Sequence, residues 1–318
     1  MSSSLAGFII IILLAIFYRE INLGERQRDD IFTVHRPPKN LSELLNFNSL
    51  TITNKTGIIS INKHQNHYFF SNRKKLPVNK NLLFSLLEKL QEIKVKYVHQ
   101  KNELNLENFS LSYPSLKIEW VFNDIDNDDL SIGATNSLDE TTFITLHSES
   151  RIFQTEKLNN NLTQIDWRDI LDPRVFPLDF SEIQRLELYR IRGSNRKMAT
   201  SLKIENERIY KNQRDISEKV FPHLSLLLSQ KAHTIIDEVN PSIEEQLSNY
   251  LQNIIYEFEI TLNNGETLVY KISSIIPKSI HLLKIEKAQQ MIVIPAHLST
   301  PYIVSKDLYF LLQKLENI

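Results

Sequence analysis

Apolar and polar residues alternate through Leu116-Lys117-Ile118-Glu119-Trp120-Val121-Phe122-Asn123-Asp124, with Val121 the apolar exception. They do so again through Tyr256-Glu257-Phe258-Glu259-Ile260-Thr261-Leu262-Asn263-Asn264, with Trp120 and Ile260 standing 140 residues apart. A period of two sends successive side chains to opposite faces, so each stretch predicts a strand with one face buried. Each then runs through an Asn/Asp turn into a second alternating strand. In the first copy this is Leu130-Ser131-Ile132, after a turn from Asp124 to Asp129; in the second it is Thr267 to Ile272, after Asn263-Asn264-Gly265. Asn-Gly between alternating runs is a strong hairpin signal. The pattern therefore predicts a hairpin that occurs twice.

The flanking pattern repeats as well. Ahead of the first hairpin, Leu50-Thr51-Ile52, Ile58 to Ile61 and Tyr68-Phe69-Phe70 read as strands, the first two around a turn at Asn54 to Gly57. Leu76-Pro77-Val78-Asn79 then leads into a helix with Asn79 as its N-cap. Leu83, Leu86, Leu87, Leu90 and Ile93 fall on one face of it at helical spacing. After the hairpin come strands at Thr142 to Leu146 and Arg151 to Gln154, and Thr155 is placed to cap a short helix through Leu158 and Leu162.

In the second copy Ile183, Leu186 and Leu188, then Leu202 to Ile204, then Arg208 to Tyr210 supply strands. Asp215 and Glu218 resemble a capping box before a helix through Leu224, Leu227 and Leu228, with Pro222 as an alternative start. Met291 to Ile294 echoes Thr142 to Leu146, and Pro301 to Leu308 echoes Arg151 to Leu158 at an offset of 150. A helix through Leu311, Leu312 and Leu315 closes the chain. The segment 166–177 carries Trp167, Ile170, Leu171 and Phe176, which suits an ordered junction. The expected fold class is α+β, with two tandem similar modules at 41–165 and 178–318, each an antiparallel sheet with helical cover.

The N-terminus breaks this pattern. Leu5 to Tyr18 is apolar throughout. At about 1.5 Å per residue it spans roughly 21 Å, which Ser2 to Ser4 extend on one side and a snorkelling Arg19 on the other. No small-x-small cleavage site follows it and nothing in it is amphipathic, so it reads as an uncleaved single-span anchor over 1–23 rather than a signal peptide or a core helix. Residues 24–40 are charged and end in Pro37-Pro38, as an extended tether would.

Composition narrows the chemistry. The 318 residues carry 24% charged side chains and a formal net charge of −1, with no global basic field of the kind nucleic acid requires. Cys is absent, which excludes disulfides, thiolate nucleophiles and Cys-based metal sites and is compatible with an oxidising compartment. Only 6 Gly are present, little material for phosphate-cradling loops. No P-loop, dinucleotide fingerprint, Gly-x-Ser-x-Gly or His-Glu-x-x-His motif occurs.

Leu76-Pro77-Val78-Asn79 before the helix, Phe109 to Ile118 leading into the strand, Leu130-Ser131-Ile132-Gly133, Thr141-Thr142-Phe143 and Arg151-Ile152-Phe153 occur in an order that resembles a bacterial family, domain of unknown function 4340. The resemblance covers roughly Leu45 to Leu188, and the second module more loosely. It implies a single-span, envelope-facing protein, often encoded beside ABC-2 type transporters of the gliding-motility class, and it carries over no functional residue. Family members usually begin with Lys or Arg; this chain does not.

A few constellations merit weighing. His64 and His67 stand three apart between strands, where a solvated turn competes with a shared metal. Asp124 to Asp129 resembles a calcium loop, but Asp129 stands where Gly is needed and Thr135 where Glu is needed, so an acidic turn competes with it. Arg185, Arg190, Arg192, Arg196 and Lys197 cluster around Gly193, as a solvated strand face or as a phosphate or lipid-headgroup contact. Trp120 and Trp167 read as core. The expectation is a membrane-tethered, non-enzymatic accessory or binding protein of an envelope assembly, with an ABC-type transporter as partner and no nucleic acid. It sits in the inner membrane as a single-pass protein with periplasmic modules. No catalytic, cofactor-binding or metal-binding residue is assigned. The alternatives are an envelope enzyme acting on glycan or lipid through carboxylates, and a structural spacer.

Overall fold

The computed structural model describes residues 47–318 apart from 65–66, 74, 92, 104, 124–125, 137, 147–149, 159–162, 239, 288 and 299. The expected anchor and tether therefore lie outside the described residues. Among the described residues no helix is long and apolar enough to cross a membrane. The chain divides into two compact units. One holds residues 47–72 together with Val78–Leu171, and the other holds Arg73–Pro77 and Asp172–Ile318. The change-over at Leu171 falls inside the 166–177 segment.

The first unit contains β1 (Ser49–Asn54), β2 (Gly57–His64), β3 (His67–Phe70), α1 (Lys80–Gln91), β4 (Val95–Gln100), β5 (Leu116–Asn123), β6 (Asp126–Asn136), β7 (Thr141–Leu146) and β8 (Arg151–Glu156). Its strands form one antiparallel sheet in the order β3-β2-β1-β5-β6-β7-β8-β4. Asn79 begins α1 as expected, its Oδ1 accepting from the backbone N–H groups of Asn81 and Leu82 at 3.1 and 3.2 Å. The helix buries Leu83, Leu87 and Leu90 and sets Phe84 edge-on to Tyr68 of β3, with ring centroids 5.8 Å apart. Each such leucine is worth about 2 kcal/mol of transfer free energy.

The second unit contains β9 (Ile183–Arg192), β10 (Asn195–Glu205), β11 (Arg208–Lys211), β12 (Arg214–Asp215), α2 (Ser217–Leu228), β13 (Thr234–Ile235), α3 (Pro241–Leu251), β14 (Ile254–Leu262), β15 (Thr267–Ser273), β16 (Gln290–Pro295), β17 (Tyr302–Ser305) and α4 (Asp307–Glu316). Its sheet order is β12-β11-β10-β9-β14-β15-β16-β17-β13. Without the two-residue β12, this is the path of the first sheet strand for strand.

The registers agree too. Trp120 faces Leu50 and Asp128, whereas Ile260 faces Leu186 and Leu268; Ile118 faces Ile52 and Leu130, whereas Phe258 faces Leu188 and Tyr270. Leu50, Ile52, Ile118, Trp120 and Leu130 are buried in one unit, and Leu186, Leu188, Phe258, Ile260 and Tyr270 in the other. Among the described residues, the two sheets and four helices make an α+β fold.

Several expectations need correction. Ile144 pairs with Phe153 and Val293 with Tyr302, so the final strands correspond at an offset of 149 rather than 150. Every position of β7 and most of β16 are buried, so neither face is marked polar and the pattern leaves the register free by one residue. Thr155 is a buried strand residue whose hydroxyl donates to the Thr142 carbonyl at 3.1 Å, not a helix cap; residues 159–162 of the helix expected after it lie outside the described residues. Helix α2 starts at Ser217 with Pro222 inside it, and Asp215 accepts from the Ser217 N–H and hydroxyl at 3.0 and 2.6 Å rather than forming a box with Glu218. The turn expected from Asp124 to Asp129 is shorter, because β6 already begins at Asp126.

Helix α3, strand β4 and the two-residue strands β12 and β13 had no expectation. Helix α3 opens on Asn240, whose side chain accepts from the Ile243 N–H at 2.9 Å, and on Pro241 at the first helical position. It buries Ile243 and Leu247 into a cluster with Ile236, Ile276, Leu283, Ile285, Ile292 and Ile303. Strand β4 forms the far edge of the first sheet beside β8.

Candidate functional site: the charged cleft of the second sheet

The β9–β10 hairpin turns through Gly193 and Ser194. Gly193 has φ +57°, which glycine adopts at no cost and which suits the first loop position of a type II′ turn. Across the hairpin Arg190 pairs with Lys197, Ile191 with Arg196 and Arg192 with Asn195. β11 covers β10 only at Lys203 to Glu205, so the tip of the hairpin projects past its neighbour with an uncovered edge. An open cleft of about 750 Å³ runs along it, lined by Arg190, Arg192, Arg196 and Lys197 and closed at one end by Glu316 and Asn317 at the end of α4.

Two of these cations are already committed. Arg190 Nη1 donates to Glu316 Oε1 at 2.9 Å, and the Tyr256 hydroxyl donates to Glu316 Oε2 at 2.8 Å. The hydrogen bond to Glu316 raises the Arg190 guanidinium above its ordinary value. Burial, and then Glu316, push the Tyr256 phenol up. Arg196 lies flat on Tyr189, its guanidinium carbon 3.4 Å from the ring centroid, donating to Glu257 Oε1 at 2.7 Å and also to Glu259. Partial burial opposes its charge and these two carboxylates outweigh it, so its pKa is raised. Arg192 and Lys197 are exposed and have no ion pair among the described residues.

A second charged group lies on the sheet face that carries Tyr189. Glu187 accepts from the Tyr189 hydroxyl at 2.9 Å, beside Glu257 and Glu259. Burial, with Glu257 and Glu187 adding to it against Arg196, raises Glu259 above the usual carboxylate range. Each of the three is tied to a neighbour, and none lines the cleft.

The structure separates the residues grouped from sequence. Arg185 pairs with Glu187 at 3.8 Å on the opposite sheet face and is not part of the cleft. His64 and His67 face each other across the β2–β3 hairpin, whose turn residues 65–66 lie outside the described residues. From Asp126 on, the acidic run is strand rather than calcium loop, because Glu119 pairs with Asp129 and Trp120 with Asp128, and an extended backbone does not curl its oxygens around an ion; residues 124–125 lie outside the described residues. Lys117 Nζ lies 2.7 Å from Glu119 and 3.2 Å from Asp129, occupying both. Among the described residues no group of three or more His, Asp or Glu is arranged to hold a metal. Trp120 and Trp167 are buried. Glu316 and Tyr256 carried no sequence signal, because the contact to Arg190 spans 126 residues of chain.

Two antiparallel sheets built on one strand order, with a cationic cleft on the second, define an α+β protein with a solvent-facing charged site. The sequence profile described as Domain of unknown function (DUF4340) matches residues 69–254, more than half of the 318. The chain belongs to that family. No curated protein and no solved structure matches it significantly.

Proposed function

We propose that the chain is a membrane-tethered, non-enzymatic accessory protein of an envelope assembly, working beside an ABC-type transporter through two sheet modules that arose by duplication. The observation that carries this reading is the shared strand order and register of the two sheets, with differences at turns and connections, among them the longer β9–β10 hairpin and the added helix α3. A repeated scaffold varied at its rim is how binding modules diversify, because the buried faces hold the fold while edges and turns are free to change. The apolar run from Leu5 to Tyr18 supplies the anchor, and the transporter partner follows from the resemblance of the family's members to envelope proteins of that setting. The test is purification of the tagged full-length chain in mild detergent from its own host. We expect an ABC-type membrane component in stoichiometric amount; recovery of the chain alone under conditions that preserve other membrane complexes overturns the reading.

A further inference from the structure

The two units share one plan, so a place where they part company is informative. In the first unit the hairpin closes at the pair Asn54 and Gly57, leaving only Lys55 and Thr56 as its loop. By register across the central strands, Asn54 against Leu116 corresponds to Arg190 against Tyr256. The second hairpin does not close there. It continues past the Arg190–Lys197 pair for two further rungs, and this extension adds Arg192 and Arg196.

The packing beneath differs in the same sense. In the first unit the Asn54 side chain and the Thr56 hydroxyl both donate to the Ile165 carbonyl at 2.8 Å, a neutral contact that fastens the turn down. In the second unit the residue matching Asn54 is Arg190, and its partner is the Glu316 carboxylate. A neutral, closed corner has become an open cleft in which Glu316 and the Glu257/Glu259 pair hold two arginines in place. Arg192 and Lys197 stay exposed, beside the partly exposed Arg190 guanidinium. Held guanidiniums are pre-organised donors, and two unsatisfied cations beside them make the cleft attractive to oxyanions.

We propose that this cleft binds a phosphate group, with Arg192 and Lys197 as the main contacts and Arg190 as the positioned donor. Phosphate offers several acceptor oxygens and one to two negative charges, which matches two unpaired cations and a fixed guanidinium better than a single carboxylate does. The group could be a phospholipid headgroup or a soluble phosphate ester. The lipid source rests on the anchor proposed above, which would keep the cleft at high effective concentration near headgroups; the phosphate site itself does not.

The experiment uses the full-length chain in non-ionic detergent and isothermal titration at low salt. The probes are glycerol phosphate and micelles doped with phosphatidylglycerol, with phosphatidylcholine-doped micelles as reference. Arg192→Gln with Lys197→Gln is compared with a charge-matched control, Lys278→Gln with Lys287→Gln. All four positions are exposed, so folding is not at issue, and circular dichroism checks it. We expect wild-type binding that weakens with salt, a loss on the order of 30-fold in the cleft variant at about five-fold per cation, and near wild-type binding in the control. Preference for phosphatidylglycerol micelles over glycerol phosphate assigns the lipid source, and equal binding assigns a soluble ester; either supports the site. Absence of wild-type binding to both probes, or equal losses in the cleft and control variants, overturns it.

Discussion

At the scale of single residues, packing explains Gly133 and Ser115, two of the positions on which the family resemblance rests. Gly133 lies where the chain passes beneath Phe109: a Cβ built there falls 2.1 Å from the Phe109 carbonyl oxygen and 3.2 Å from Leu111 Cδ2. Ser115 anchors the same corner by donating to the carbonyls of Ile132 and Gly133 at 3.0 and 2.9 Å. The Ile132-Gly133 pair therefore meets a steric demand. Gly133→Ala should destabilise the fold by about 1–3 kcal/mol, because the obstructing atom is backbone and cannot rotate away. Urea denaturation checks this, and an unshifted midpoint would mean that the Phe109 segment gives way freely. Glu259 makes a prediction about pH. Its folded pKa is raised above the unfolded value by burial and by Glu257 and Glu187, so the folded state holds its proton more tightly. Such a group adds stability below its unfolded pKa and loses it as pH rises through the folded pKa. Glu259→Gln removes that contribution. The melting temperature of the variant relative to wild type should therefore fall as pH drops from 7 towards 4, and a constant difference over that range would contradict the assignment.

At the scale of elements, what was legible follows from which faces are buried. β5 and β14 alternate because one face meets the core and the other does not, so the pairing of the two hairpins could be read from Trp120 and Ile260 directly. β7 is buried at every position and β16 at nearly all, so their sequences carry no face signal and the offset was legible only to within a residue. Helix α3 carries a start signal in Asn240-Pro241, followed by Ile243 and Leu247 at helical spacing. For the cleft, the cations were legible as a cluster and their geometry was not. Arg190 and Arg192 are two apart and share a face, whereas Arg185 is an odd number of residues away and faces the other side, as period two alone would have told. Glu316 arrives from the far end of the chain, and no local pattern encodes such a contact.

At the scale of the whole molecule, the proposed anchor would put the two sheets on one side of a membrane or the other. Counted literally, charge points one way: Arg19, Arg26 and Arg28 follow the apolar run and residues 1–4 carry no Lys or Arg, which the positive-inside rule reads as a cytoplasmic C-terminal side. Glu20, Glu25, Asp29 and Asp30 are interleaved, but acidic residues weigh little in that rule, so they do not cancel the bias. Two arguments outweigh it. Large domains translocate largely regardless of flanking charge once an apolar segment is engaged. A chain without a single cysteine also has no thiol to protect in an oxidising compartment. The family resemblance points to the same side. We therefore expect residues from about Glu25 onward to face the periplasm, with the anchor in the inner membrane. A C-terminal alkaline phosphatase fusion, which folds only where disulfides form, should be active in cells. A C-terminal green fluorescent protein fusion exported unfolded should be dark. The reverse pair of results would place both sheets in the cytoplasm, and any lipid bound by the Arg192 and Lys197 cleft would then belong to the inner leaflet.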